Sequence, residues 1–134
     1  MLVVETHGLA GSSLDSLLPP QAHVWDCFNS AQTYAAAFEV NEAAMRAGFM
    51  PDEATTLSLA LAELASRAVS QARGGVASVF FSSDGWRLEV CDAGPALNAP
   101  PTLTVSGQLS SLRVHRRTTG GSLVVAQYTR RASA

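Results

Sequence analysis

The chain has 134 residues, 47% of them apolar, and a formal net charge of −2 at pH 7, which suits one domain with a full hydrophobic core. No apolar run approaches the ~20 residues of a membrane-spanning helix, and no basic residue precedes Leu2-Val3-Val4 as a signal peptide would require. With only Cys27 and Cys91, each in an apolar run, a disulfide framework is not indicated, and the expectation is a soluble cytoplasmic protein.

Residues 1–20, with Gly11-Ser12-Ser13 and Pro19-Pro20, read as a loose leader in which Leu2-Val3-Val4 could add an edge strand; residues 21–131 read as a single domain. Ala22 to Phe28 is strand-like, rich in Val, Trp and Phe. Asn29 or Ser30 can cap a helix that runs through Tyr34, Phe38 and Met45 and stops at Gly48. A second helix starts at Pro51, with Asp52 and Glu53 in its first turn to complement the dipole. Its apolar stripe is Leu57, Leu61, Leu64, Ala65, Ala68 and Ala72, at helical spacing. Glu63 and Arg67 lie on the flank of that stripe. At (i, i+4) they can form a surface pair, worth about 0.2–0.5 kcal/mol.

Arg73-Gly74-Gly75 ends this helix and leads into a strand from Val76 to Ser82. Asp84-Gly85 is a two-residue hairpin signal, followed by Trp86, Leu88 and Val90 on one face and Arg87, Glu89 and Cys91 on the other. Leu112 to Thr118 and Ser122 to Tyr128, joined by Thr119-Gly120-Gly121, make a last hairpin. The sum is an α+β two-layer sandwich, a mostly antiparallel sheet with helices on one face. Trp25, Trp86, Phe80 and Phe81 are expected in its core rather than on a base-stacking platform.

Charge divides along the chain. All eleven acidic residues lie at or before Asp92 with four arginines, giving −7, while the remainder carries five arginines (Arg113, Arg116, Arg117, Arg130 and Arg131) and no acid, giving +5. A pI near 5.8 argues against a nucleic-acid-binding domain, so these arginines are expected on a solvated sheet face. His7, His23 and His115 lack metal-ligand spacing, and no metal residues are assigned.

Two segments carry chemistry: the helix segment Ala60-Leu61-Ala62-Glu63-Leu64-Ala65-Ser66-Arg67, and Asp92-Ala93-Gly94-Pro95-Ala96 at a strand end. A helix presenting a carboxylate, followed by a strand delivering an aspartate into a Gly-Pro turn, resembles the GHKL (histidine-kinase-like) ATPase superfamily, and within it the bacterial anti-sigma factor and switch-protein serine kinases. The resemblance spans about Val24 to Tyr128. It implies a Bergerat-like fold in which Glu63 is the general base of a Glu-x-x-x-Asn motif, and Asp92 and Gly94 belong to the adenine-reading Asp-x-Gly-x-Gly motif.

Departures from that pattern are specific. Arg67 stands where the family places an asparagine that ligates Mg²⁺; a guanidinium has donors only and cannot ligate a metal, although it can pair with phosphate. Ala96 replaces the second glycine of the aspartate motif. Asn98 to Leu109 leaves no room for the family's lid and third helix, whose N-terminal amides would hold phosphates. The resemblance therefore implies a regulatory protein that binds a STAS-domain antagonist or a sigma factor, with nucleotide binding weakened or lost and no cofactor. The alternative is an active serine kinase that phosphorylates a STAS-domain antagonist with ATP and Mg²⁺; there Glu63 is catalytic, and Asp92, Gly94 and Arg67 hold nucleotide. A homodimer built on an edge strand in residues 1–20 would be in keeping with the relatives.

Overall fold

The structure, a computed structural model, describes residues 22–130. The leader and edge strand expected in residues 1–20 lie outside the described residues. Strand β1 (His23–Cys27) is followed by helices α1 (Ser30–Arg46) and α2 (Pro51–Ala72), then β2 (Gly75–Ser82), β3 (Gly85–Asp92), β4 (Ser111–Arg116) and β5 (Ser122–Thr129). The five strands form one antiparallel sheet in the order β1-β2-β3-β5-β4, and the expected α+β two-layer sandwich is present.

Local chemistry accounts for the helix ends. The Asn29 side chain accepts the Gln32 N–H at 2.8 Å, relieving one of the orphan donors of the first turn of α1. At the start of α2, Pro51 occupies the position where its missing N–H costs nothing. Glu53 reaches back to accept the Met50 N–H at 2.7 Å.

Strand periodicity sorts the sheet into two faces. Ala77 and Val79 of β2, Trp86, Leu88 and Val90 of β3, and Val124 and Ala126 of β5 meet the helices in one buried cluster with Leu57, Leu61 and Leu64 of α2. Burying a leucine of this kind contributes roughly 1.5–3 kcal/mol relative to leaving it exposed. Leu103 and Val105, from the connection between β3 and β4, join the same core. That connection holds a short 3₁₀ turn, Ser106–Gln108, and no α-helix, so apolar loop residues complete the layer.

Phe80 does not join its neighbour Phe81 on the helix side, which corrects the expectation for Phe80, while Phe81 packs against the core as expected. Consecutive strand residues point to opposite faces, and Phe80 lies beneath the Arg87 guanidinium, 4.3 Å from its ring centroid. The arginine-rich final hairpin is likewise not one solvated face. Arg113 and Arg116 are exposed, whereas Arg117 and Arg130 are taken up by internal partners described below.

Candidate functional site

The α2 stripe of Leu57, Leu61 and Leu64 fixes the rotation of the helix on the sheet. It thereby turns Glu63 and Arg67 toward the open end of β3, where Asp92 is the last strand residue. Arg67 Nη2 donates to Asp92 Oδ2 at 2.6 Å, with the arginine side chain 13% exposed and the aspartate side chain 0% exposed. The Gly94 N–H donates to the other carboxylate oxygen at 3.0 Å. Both oxygens of the adenine-reading candidate are therefore engaged from within the chain. The local Glu63–Arg67 pair expected from their spacing does not form; Arg67 reaches Asp92 instead, in a charge-assisted bond, and both Glu63 oxygens are taken by Thr104.

Glu63 is also engaged. Its Oε1 accepts the Thr104 N–H at 2.9 Å and its Oε2 accepts the Thr104 hydroxyl. This dual contact pins the β3–β4 connection onto α2, with Leu103 and Val105 on either side of Thr104 inserted into the core. What is left between them is an open cleft of ≈ 430 Å³ bordered by Glu63, Ser66, Arg67, Pro101 and Leu103. Arg67 Nε is buried there without a hydrogen-bond partner.

Gly94 follows Asp92 by two residues, and its missing side chain serves internal packing. A Cβ at this position would overlap the Cβ of Ala72 and lie 2.8 Å from the Ala72 Cα, so the turn after Asp92 packs directly on the last residue of α2. Sequence reasoning missed Gly121, Arg117, Ser122 and Thr104. Gly121, at φ +91°, brings its backbone against the Asp92 carbonyl, and a Cβ would overlap that oxygen. Arg117 Nη1 donates to the same carbonyl at 2.8 Å. The fully buried Ser122 hydroxyl accepts the Leu97 N–H at 2.8 Å. The Thr119-Gly120-Gly121 turn signal was visible in sequence, but what it approaches was not.

A second charged cluster stands at the other end of α2. Glu53, 8% exposed, accepts the Tyr128 hydroxyl at 2.6 Å, Arg130 Nε at 3.0 Å and Arg130 Nη2 at 3.3 Å. Arg130 further donates to the carbonyls of Ser83 at 3.0 Å and Gly48 at 2.9 Å, and its guanidinium lies 4.3 Å from the Phe49 ring centroid. Burial opposes ionisation of Glu53, but hydrogen bonds from Arg130, Tyr128 and the Met50 amide prevail and hold its carboxyl down at about 2. Burial, and then the bond to Glu53, push the Tyr128 hydroxyl up to about 12.

Among the described residues no group of three or more His, Cys, Asp or Glu side chains could hold a metal ion, and no helix is long and apolar enough to cross a membrane. Cys27 and Cys91 are free thiols, pushed up from their ordinary value by burial first. No protein-family model matches the chain, and no curated protein matches it either.

Proposed function

We propose that this chain is a regulatory protein of the anti-sigma or switch-protein type that acts by docking a partner protein rather than by turning over nucleotide. The observation that carries the reading is the Arg67–Asp92 pair. The aspartate that would accept the adenine amino group is desolvated and already holds a guanidinium and a backbone amide, so nucleotide would have to displace a charge-assisted bond to reach it. That same guanidinium stands where the family resemblance places a metal-ligating asparagine, and it has donors only and cannot ligate Mg²⁺. Glu63, the candidate base, is held by Thr104. Phosphoryl transfer rests largely on positioning and charge stabilisation, and the chain commits its own groups to its own contacts at each of these points.

A docking role is further supported by where apolar surface is left open. The large apolar side chains exposed among the described residues, including Tyr34 at 72% and Phe38 at 65%, all lie between Val24 and Leu59, on β1, the helices and their connections. Contiguous exposed apolar patches mark interaction surfaces, and these side chains are open to contribute to one. A STAS-domain antagonist or a sigma factor is the partner class that the family resemblance supplies.

Thermal unfolding across a titration of ATP with Mg²⁺ tests this reading. Ligand at about 100 times its dissociation constant stabilises a protein by ~2.7 kcal/mol. A melting temperature unchanged to millimolar ATP is the expected result. A rise that Asp92→Asn abolishes would overturn it in favour of the serine kinase, with Glu63 as its base.

A further inference from the structure

Strand β1 is one edge of the sheet. It pairs with β2 on one side, and among the described residues no strand pairs with the other. Alternate N–H and C=O groups of an edge strand point away from the sheet and can template a further strand. Edges of this kind are commonly blunted by lysine, proline or a bulge; His23–Cys27 contains neither lysine nor proline and pairs with β2 in unbroken register.

Beside this edge runs a groove against α1. Val24, Trp25, Glu39, Glu42, Ala43 and Arg46 border a space of ≈ 340 Å³. Its floor is preorganised: Trp25 Nε1 donates to Glu39 Oε1 at 2.8 Å, and the His23 ring stacks on Trp25 at 6.0 Å between centroids. The Trp25 bond uses one Glu39 oxygen, and Glu42, exposed on the same helix, forms no ion pair among the described residues. Glu39 and Glu42 share this groove with a single arginine, Arg46.

We propose that the β1–α1 groove receives an extended, basic segment of a partner protein as a sixth strand, with arginine or lysine side chains on its α1 side meeting Glu39 and Glu42. Main-chain pairing to β1 supplies affinity, and alternate side chains entering the groove supply selectivity, as in other strand-addition sites. The carboxylates set the sign of the partner's charge, and the aromatic floor offers a flat surface to a guanidinium or to its aliphatic stem. The groove shares no bordering residue with the Glu63–Arg67 cleft. The inference rests on the reading that the chain acts by docking a protein, and it adds the place and the chemistry.

The test is fluorescence anisotropy with the full chain and two labelled heptapeptides, one alternating Arg with Val and one alternating Glu with Val. Saturable binding of the Arg peptide and none of the Glu peptide is expected. The charge reversal Glu42→Arg, at an exposed position, should weaken the Arg peptide about tenfold, and Val24→Pro, on an edge strand that tolerates proline, should weaken it further by removing pairing. Equal binding of both peptides, no binding of the Arg peptide, or full retention of affinity in Glu42→Arg each overturns the proposal. Hydrogen exchange settles other occupants. Protection of all five β1 amides in the free chain, rather than of alternate ones, shows the edge already filled by the chain itself. A dimer that Val24→Pro dissociates assigns it to a second copy, and either result overturns the proposal. The ATP titration on the same samples reports separately on the docking reading, so the two can fail independently.

Discussion

The two ends of α2 solve the same problem, a buried carboxylate facing an arginine, to different degrees. At the first turn, Glu53 accepts from the Met50 amide, Tyr128 and Arg130, and Arg130 spends Nε, Nη1 and Nη2 on Glu53, Ser83 and Gly48. Four turns on, Arg67 bonds Asp92 through Nη2 and leaves a buried Nε without a partner. A fully satisfied network rigidifies a fold, whereas an orphan donor beside a cleft calls for a separate explanation. The first cluster staples the end of β5 to the connection between the helices. The second closes a site that the sequence pattern associates with nucleotide, and closes it less completely.

The difference can be broken by mutation. Asp92→Ala should cost about 3–5 kcal/mol, the penalty for leaving a buried guanidinium uncompensated, and urea denaturation measures it. Glu53→Gln removes one charge from a network with other donors and acceptors in reach. It should cost about 1.5–3 kcal/mol, the worth of a hydrogen bond to a charged group, by the same assay. If the order reverses, the clasp at the first turn is the more critical of the two.

Titration sharpens the comparison without mutation. The Glu53 carboxyl is held at about 2, below the ordinary value near 4.3. Its contribution is therefore present above the unfolded-state value and is lost as pH falls from about 4.5 toward 2. Tyr128 is raised to about 12, so the neutral hydroxyl is favoured in the fold, and that contribution is complete below about 10 and lost between about 10 and 12. Stability measured against pH should show both edges, and Glu53→Gln should flatten the acid edge and diminish the alkaline one. The smallest effect is expected from Thr104→Val, which removes the hydroxyl bond to Glu63 but keeps the backbone bond. A loss of about 1 kcal/mol, with faster amide exchange in the β3–β4 connection, is the predicted outcome.

Much of the architecture was legible because it is written in local periodicity. The Leu57–Leu61–Leu64 stripe and the alternation from Trp86 to Cys91 each announce an element and its inward face, and both stand in the structure. The hairpin signalled by Asp84-Gly85 also forms, but its turn residues are Ser83-Asp84, and Gly85 opens β3 opposite Ser82. Phe80 and Phe81 mark the limit of reading composition alone. Both suit a core, but the pleat admits one. The site was legible only as residue types. Arg67 offered an obvious local partner in Glu63, yet its actual partner is 25 residues away, and Glu63 is met by Thr104, 41 residues away. Arg130, one of several arginines in a basic tail, finds Glu53 across 77 residues. Pairings of that range depend on how the sheet closes, and no spacing rule encodes them. Gly94 was found through its motif, but the reason for a glycine there, contact with Ala72, required the packed helix.

The closure of this site turns on the commitment of Asp92 to Arg67. A double-mutant cycle with Arg67→Met and Asp92→Asn, read by equilibrium unfolding, tests it most directly. A coupling energy of about 1.5 kcal/mol or more is expected, in the range of residues sharing one buried contact. Additive effects to within about 0.3 kcal/mol, the behaviour of independent sites, would contradict it and leave Asp92 free for an external ligand.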